Sequence, residues 1–202
     1  MSDDNPRREY FDSIAEEWDG WMDLERVNAD LARGLDAFCI DQNESVLDIG
    51  CGTGNLTRAL LGRLSDQGRV LAVDISPRMI ELARRKNADV RVSWLVADAA
   101  RLPLPSATAD RVICFSVWPH FPDPAGVARE LHRVMVPGGR LHVWHIDSRE
   151  TINRIHAGAG ESVRGDILCP AAELTRLLQA TGFSPETEVD DDNQYLISAR
   201  KV

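Results

Sequence analysis

The sequence predicts an α/β protein with a doubly wound, Rossmann-like parallel sheet, and three observations carry that prediction. Short apolar runs alternate along the chain with amphipathic helical runs. The short runs are hydrophobic at successive positions, as strands covered on both faces require. A glycine-rich turn joins the first of them to a helical run, which is typical of the first connection in such sheets. Helices are therefore expected on both faces of the sheet.

Two helical patterns precede the first strand. In the first, Tyr10, Ile14 and Trp18 are spaced four residues apart, and the second covers residues 24–39. The strands expected next are 45–49, 69–75, 90–97, 109–117 and 139–146. The helices expected between them lie around 55–65, 77–87 and 124–135.

The pattern changes after residue 147. The segment SRETINRIHAG predicts a short helix, and a second helix should begin at Pro170 and end at Gly182. Two further strand-like runs follow with only DDDN between them, which predicts an antiparallel hairpin at the sheet edge.

Composition limits the classes of partner. The chain has 202 residues and a net charge of -9, from 23 basic and 32 acidic side chains. This balance argues against non-specific binding to nucleic acid or to an anionic membrane, because both need a positive field. No signal-like or membrane-spanning apolar run is visible, and the four cysteines are widely spaced, so we expect a reduced, cytoplasmic protein.

The stretch SVLDIGCGTGNLTRAL places Gly50, Gly52 and Gly54 between a strand and a helix. Missing side chains let the backbone bend sharply and lie against a ligand. About twenty residues later Asp74 ends the second strand, where a carboxylate can accept hydrogen bonds from ribose hydroxyls. Asn55 stands where the dinucleotide fingerprint has its last glycine, so the match to NAD binding is imperfect. Tight packing of the turn, without a ligand, is the alternative explanation.

Four motifs carry a family resemblance. VLDIGCGTG, VDISPRMIELAR, LVADAARLPLPSATADRVICFSV and ELHRVMVPGGRLHV resemble the successive motifs of class I S-adenosylmethionine-dependent methyltransferases, over roughly residues 45–145. The resemblance implies a seven-stranded sheet in the order 3-2-1-4-5-7-6 with the last strand antiparallel. It also implies S-adenosylmethionine as cofactor.

The resemblance assigns cofactor contacts by position. Asp48 and the turn from Gly50 through Cys51 and Gly52 to Gly54 would hold the methionine end. Asp74 would bind the ribose. Ile75 and Met79 would flank the adenine, and Asp98 with Ala99 would contact its edge. Ser116 would line the sulfonium side.

The N-terminal segment YFDSIAEEWD resembles the part that covers the cofactor in many small-molecule members of the family. Tyr10 and Trp18 would then cap the pocket and exclude water. Ordinary packing of an aromatic helix face explains the same pattern.

Three histidines follow the fourth and fifth strands: His120, His145 and His156. A histidine there could accept the acceptor's proton or contact the substrate. The three could instead bind a metal, or line the rim without a chemical role. No short histidine spacing supports a metal, so none is assigned. Arg149 and Asn153 share the predicted polar helix face of His156, which we expect to contribute to acceptor specificity.

The leading prediction is one domain, residues 1–202, that methylates a small-molecule acceptor by in-line displacement. Residues 1–40 would form a helical cap, 45–147 the cofactor-binding core, and 148–202 the acceptor side. An NAD(P)-dependent oxidoreductase and a non-catalytic module that binds S-adenosylmethionine are the alternatives. The sequence assigns neither the accepting atom nor an oligomeric state.

Overall fold

The structure is a computed structural model and describes residues 5–202. The elements, in chain order, are α1 (Pro6–Ile14), a 3₁₀ turn (Trp18–Trp21), α2 (Leu24–Ala37), β1 (Ser45–Ile49), α3 (Asn55–Leu61), β2 (Arg69–Asp74), α4 (Pro77–Lys86), β3 (Val92–Val96), β4 (Ala109–Phe115), a second 3₁₀ turn (Trp118–His120), α5 (Pro124–Val134), β5 (Met135–His145), α6 (Arg149–Ala157), α7 (Ala171–Ala180), β6 (Phe183–Asp190) and β7 (Tyr195–Lys201).

The seven strands form one sheet in the order β3-β2-β1-β4-β5-β7-β6. β1 pairs in parallel with β2 and β4, and β4 pairs in parallel with β5. β7 runs antiparallel between β5 and β6, and the hairpin it forms with β6 occupies the sheet edge. The predicted fold class, strand order and antiparallel last strand are confirmed.

Both faces of the sheet are buried, as the apolar strand composition requires. Leu47 of β1 faces the side covered by α5 and α7, where it joins a core that includes Leu131 and Leu174. Val46, one residue earlier, faces the side covered by α2 and α3 and joins Leu31 and Leu60. Alternate residues of one strand therefore stabilise opposite layers, each buried leucine by about 1.5–3 kcal/mol.

The first helix is shorter than the spacing of Tyr10, Ile14 and Trp18 predicts. The side chain of Asn5 caps α1 by accepting hydrogen bonds from two main-chain nitrogens, and Pro6 occupies the first turn. The helix ends at Ile14, and a separate 3₁₀ turn holds Trp18. Within that turn, the Asp19 carboxylate accepts hydrogen bonds from Thr53, Asn55 and Lys86, which directs the chain toward the glycine turn.

Three strand boundaries differ from the predicted ones by two residues or more. β3 begins at Val92, because Asp89 holds a turn ahead of it through the main chain and side chain of Arg91. β4 ends at Phe115, because Ser116 takes a φ of +53°, which an extended strand does not allow. β5 already begins at Met135, where it pairs with Ala109 across a register shift. Among residues 5–202, no helix is both long and apolar enough to cross a membrane.

Candidate functional site

A crevice opens at the carboxyl ends of β1, β2 and β4, where doubly wound sheets bind their ligands. Its empty volume is about 840 Å³, part of it open to solvent. Ten of the predicted site residues line it: Trp18, Gly50, Gly52, Asp74, Ile75, Met79, Asp98, Ala99, Ser116 and His120.

The three glycines after β1 all have positive φ, but they face different surroundings. A Cβ on Gly50 would lie 2.3 Å from Val117, and one on Gly54 would lie 2.6 Å from the amide nitrogen of Asn87. A Cβ on Gly52 would meet only Trp18, at 3.6 Å, and would project toward the crevice. Gly50 and Gly54 therefore serve packing, whereas Gly52 leaves space at the crevice wall.

Asp74 joins the second strand to the glycine turn. Its Oδ2 accepts a 2.8 Å hydrogen bond from the main-chain nitrogen of Gly52, and its Oδ1 accepts one of 2.9 Å from that of Ser76. Burial raises the pKa of Asp74, and the main-chain N–H groups of Ser76, Gly52 and Ile75 oppose that rise. The carboxylate lines the crevice with its orientation fixed.

Asp48 lies behind the crevice wall. It is buried, its Oδ2 accepts a 2.6 Å hydrogen bond from Thr57, and its Oδ1 has no partner among residues 5–202. Burial raises the pKa of Asp48 to about 7; Thr57 opposes the rise and the charge of Asp74 adds to it. Cys51 and Gly54 also lie outside the lining, on the side of the turn that packs against the protein.

The predicted adenine side is a slot between β2 and β3. Ile75, Met79 and Ala99 supply apolar walls. Oδ1 of Asp98 accepts a 2.9 Å hydrogen bond from the main-chain nitrogen of Ala100, which orients the carboxylate at the crevice edge. The slot thus combines apolar surfaces with one fixed acceptor group.

Phe11 and Trp18 line the crevice, whereas Tyr10 does not. The Phe11 ring lies edge-on to Trp18 at 6.1 Å and to His120 at 5.0 Å, and all three side chains line the crevice. Tyr10, one helical position away, instead packs beside Gly160, where an added Cβ would lie 2.6 Å from its ring. The predicted position of Tyr10 over the pocket is corrected, because α1 turns that ring outward to the neighbouring segment.

The three histidines do not share one rim. His120 lines the crevice, and its ring lies 4.8 Å from that of His156, which does not. His145 is buried beneath them, with both ring nitrogens unpartnered among residues 5–202. Burial, together with a smaller effect of the two neighbouring imidazoles, lowers the pKa of His145 to about 3. The predicted rim position of His145 is corrected, because its side chain points inward from the end of β5 against Tyr195.

Asp166 stands behind His120 and has no counterpart among the predicted residues. Its Oδ2 lies 2.7 Å from Nδ1 of His120, and Arg7 forms an ion pair with the same carboxylate. The main-chain oxygen of Asp166 lies 2.7 Å from Nδ1 of His156. Burial would raise the pKa of Asp166, but the hydrogen bonds from His120 and Arg7 lower it below its usual value.

The polar face of α6 binds the chain itself. Arg149 pairs with Asp190, and the Asn153 side chain bonds both main-chain groups of Leu168. The Asn153 contacts fix the segment that carries Asp166, and the contribution of this face to acceptor specificity stays a prediction. Among residues 5–202, no three His, Cys, Asp or Glu side chains are grouped as a metal site requires.

Phe121, which the sequence around His120 indicated as part of an apolar wall, also lines the crevice. Eight other lining residues were not predicted: Asn5, Arg7, Phe11, Ile49, Val73, Ala97, Val117 and Pro122. Most of them are apolar residues in or beside predicted elements, and their side-chain direction follows from tertiary packing. Phe11 adjoins the aromatic stripe of α1, so a helical projection of residues 6–14 could have suggested it.

Residues 47–143 match the family described as Methyltransferase domain. The chain is 36% identical over 139 residues to the demethylmenaquinone methyltransferase of Thermus thermophilus, covering 66% of this chain and 62% of that protein. It is 34% identical over 126 residues to the malonyl-[acyl-carrier protein] O-methyltransferase of Hahella chejuensis, covering 55% and 45%. The chain therefore spans about half the length of curated relatives that it matches.

Solved structures share the fold. A SAM-dependent methyltransferase from Aquifex aeolicus matches with a TM-score of 0.77 and 20% identity, covering 98% of this chain and all of that one. The [4+2]-cyclase SpnF matches with a TM-score of 0.69 and 23% identity, covering 86% and 80%. At such identities the likeness concerns the fold, and this fold serves more than one reaction.

Proposed function

We propose that this chain, which belongs to the class I S-adenosylmethionine-dependent methyltransferases, transfers a methyl group from S-adenosylmethionine to a small-molecule acceptor. The observation that carries the proposal is the pairing of Gly52 and Asp74 at the crevice wall. This hydrogen bond joins a stretch of main chain without a side chain, at Gly52, to the Asp74 carboxylate, whose orientation is fixed. A ligand made of a nucleoside and an amino acid can use both, the bare main chain for close approach and the carboxylate for the ribose hydroxyls.

The residues of the crevice fit this cofactor. Asp74 retains lone pairs for two ribose hydroxyls beyond those used by Gly52 and Ser76. Ile75 and Met79 offer apolar contact for a base, with Asp98 beside it. Oδ1 of Asp48, beneath the turn, is a buried acceptor with no partner among the described residues 5–202, and such atoms are commonly completed by a ligand or an ordered water.

When bound, S-adenosylmethionine supplies an electrophilic methyl group with a neutral thioether as leaving group. The protein then has to align the acceptor with that methyl and exclude water. Phe11 and Trp18 cover the crevice, and Val117 and Phe121 continue the apolar wall toward His120. His120 is the side chain proposed to accept a proton from the acceptor.

The acceptor side suggests a substrate class. Phe11, Val117, Phe121 and Pro122 surround His120 with apolar surface, which favours a flat or aliphatic acceptor that carries one ionisable group. Two relatives bear names that refer to demethylmenaquinone and to malonyl-[acyl-carrier protein]. From the lining of the crevice, we propose an acceptor with an apolar body and one ionisable group.

The three predicted regions keep their proposed roles with one change. Residues 45–147 bind the cofactor and 148–202 support the acceptor side, while the cap is formed by α1 and the Trp18 turn. Within residues 1–40, α2 belongs to the core of the sheet, because Leu31 and Leu35 are buried against it. Neither a nucleic acid nor a membrane is proposed as a partner.

Transfer of labelled methyl from S-adenosylmethionine into a fractionated metabolite extract tests the proposal. We expect label in one small-molecule fraction with the wild type and little with Asp74→Asn, whereas Asp89→Asn should keep activity because Asp89 pairs with Arg91 at the surface. Cofactor binding without label in any fraction would favour a chain that binds S-adenosylmethionine for another purpose. The relation to a cyclase gives that second candidate its support.

A further inference from the structure

We propose that Asp166 is a positioning residue that holds His120 as the proton acceptor of methyl transfer, and that Arg7 couples this arrangement to the cap helix α1. The proposal rests on the proposed function. It concerns Arg7, His120 and Asp166. Arg7 and Asp166 are 159 positions apart in sequence and meet only in the folded chain.

The Asp166 carboxylate is held from two sides. Its side chain is 3% exposed, and Oδ2 lies 2.7 Å from Nδ1 of His120. Arg7 donates through Nη2 to Oδ1 and through Nε to Oδ2, the latter at 3.4 Å. The segment that carries Asp166 is fixed in turn, because Asn153 bonds both main-chain groups of Leu168. The carboxylate is therefore held rigidly behind the imidazole.

This contact selects one tautomer of His120. An ionised carboxylate only accepts hydrogen bonds, so the proton of a neutral His120 must be on Nδ1. Nε2 is then a free acceptor on a ring that lines the crevice, and it has no hydrogen-bond partner among residues 5–202. His156 does not compete for the carboxylate, because its own Nδ1 bonds the main-chain oxygen of Asp166.

The charged and titratable groups around His120 come from four elements. Arg7 lies on α1 and His156 on α6, Asp166 lies between α6 and α7, and the buried His145 ends β5. Asp166 is the only acidic side chain among these four, and it compensates a positive charge that forms on His120.

With this arrangement, every bond and proton of the methyl transfer is accounted for. The acceptor atom forms a bond to the methyl carbon while the carbon–sulfur bond breaks and its electron pair stays on sulfur. The acceptor's proton passes to Nε2 of His120, and the imidazolium that results keeps its Nδ1–H bond to the Asp166 carboxylate. The proton leaves to solvent when the product departs.

Arg7 connects this pair to the cover of the crevice. α1 also bonds the opposite side, where Oδ1 of Asp12 accepts hydrogen bonds from the Ser76 hydroxyl and from the main chain of Arg78. The helix therefore crosses from the cofactor side to Asp166. The Arg7 guanidinium therefore links the position of α1 over the crevice to the orientation of His120.

A purely structural ion pair is the competing explanation, because buried charges are often paired without a role in catalysis. The two explanations differ in the tautomer of His120. Asparagine at position 166 keeps the shape but can donate its amide to Nδ1, which would move the imidazole proton to Nε2 and block proton acceptance.

The test combines two-bond ¹H–¹⁵N spectra of the histidine rings, which distinguish the tautomers, with turnover and with titration by S-adenosylhomocysteine. In the wild type we expect the neutral Nδ1–H form of His120. Asp166→Asn should convert it to Nε2–H and lower kcat by about 10²- to 10⁴-fold, the range for general-base catalysis. Affinity for S-adenosylhomocysteine should change less than threefold.

Two further variants complete the design. Arg7→Gln should keep the Nδ1–H tautomer and lower kcat by roughly tenfold, a smaller loss because the carboxylate remains. Glu186→Gln is the matched control, since it removes an exposed ion pair with Arg140, and it should change neither readout.

An unchanged tautomer in Asp166→Asn, or a loss of cofactor affinity equal to the loss of turnover, would overturn the positioning role. Wild-type turnover in Arg7→Gln would overturn the link to the cap. If the wild type transfers no methyl group, the proposed function fails and His120 loses its role as base. The tautomer spectra would then still report whether Asp166 orients the ring.

Discussion

The main-chain nitrogen of Gly52 donates a 2.8 Å hydrogen bond to Oδ2 of Asp74. Asp74 ends β2, and Gly52 lies in the turn that follows the neighbouring strand β1. Main-chain nitrogens of the turn, at Gly50 and Cys51, also bond the carbonyl oxygen of Val73. The glycine turn and the carboxylate therefore form one rigid unit. A ligand that contacts both meets a surface that needs little rearrangement.

Substitutions at two glycines of this unit should separate effects on stability from effects on cofactor binding. A methyl at Gly50 would lie 2.3 Å from Val117, so Gly50→Ala should lower the free energy of unfolding by about 2–4 kcal/mol. Gly52→Ala meets only Trp18, at 3.6 Å, and should cost about 1–2 kcal/mol through its positive φ. Its methyl would occupy the crevice, so affinity for S-adenosylhomocysteine should fall at least tenfold.

Urea denaturation and calorimetric titration measure these two effects. Gly54→Ala, where it remains folded, serves as the control for a change that does not enter the crevice, because Gly54 lies outside the lining and its methyl would meet Asn87. Wild-type cofactor affinity in Gly52→Ala would mean that the cofactor does not lie against this part of the main chain.

Asp74 should contribute to cofactor binding. Replacing its carboxylate by an amide removes charge-assisted hydrogen bonds to the ribose, so Asp74→Asn should weaken binding of S-adenosylhomocysteine by about 1–3 kcal/mol. The same titration of Asp89→Asn, whose side chain pairs with Arg91 away from the crevice, should give the wild-type value. Equal affinities in all three proteins would place the ribose elsewhere.

The fold and the positions of the crevice residues that follow β1 and β2 could be predicted because their signals are local. Each strand is a continuous apolar run, and the glycine turn and Asp74 occupy fixed places relative to β1 and β2. The terminal hairpin was indicated by two strand-like runs with a four-residue join. Such features follow from steric rules that act within a few residues.

The acceptor side could not be predicted in the same way. Arg7, His120 and Asp166 are far apart in sequence, and their meeting depends on how α1 and the segment after α6 pack. His145 and His120 each follow a strand, yet one points into the protein and the other into the crevice. Charge and spacing do not encode that difference, because side-chain direction at a strand end is set by the turn that follows.

The backbone at Ser116 should store strain. Its φ of +53° is unfavourable for a residue with a Cβ, and the residue lines the crevice directly after β4. Ser116→Gly should raise the free energy of unfolding by about 0.5–1 kcal/mol, the cost of the left-handed conformation less the extra entropy of glycine. Turnover should fall, because the crevice wall becomes less fixed.

Ala107→Gly is the matched variant for this prediction. Ala107 has a φ of +56° in an exposed loop away from the crevice. Ala107→Gly should give a similar gain in stability, measured by thermal melting, without a change in turnover. Equal effects of both variants on turnover would show that the strain at Ser116 has no bearing on the site.

His145 should make stability depend on pH. Burial lowers the pKa of this imidazole to about 3, against about 6.5 in an unfolded chain. Between pH 3 and pH 6.5, His145 is therefore protonated in the unfolded chain but not in the folded protein. The contribution of neutral His145 to the free energy of unfolding is present in full above pH 6.5 and is lost as the pH falls toward 3. At pH 5 the loss amounts to about 2 kcal/mol.

Urea denaturation at pH 7 and pH 5 measures this contribution. His145→Leu removes the titrating group, so the fall in stability between the two pH values should be smaller by about 2 kcal/mol than in the wild type. His142 remains in both proteins, and burial with the nearby Arg111 lowers its pKa to about 3, so a residual pH dependence is expected. Identical falls in both proteins would mean that His145 is protonated in the folded state.

Binding of S-adenosylmethionine in this crevice is tested most directly by a thermal melt of the wild type with S-adenosylhomocysteine or NAD, each at 100 times the dissociation constant measured for S-adenosylhomocysteine. We expect stabilisation by S-adenosylhomocysteine of about 2.7 kcal/mol, the value that mass action gives at that ratio, and no stabilisation by NAD. Stabilisation by NAD alone, or by neither compound, would show that the crevice does not bind this cofactor.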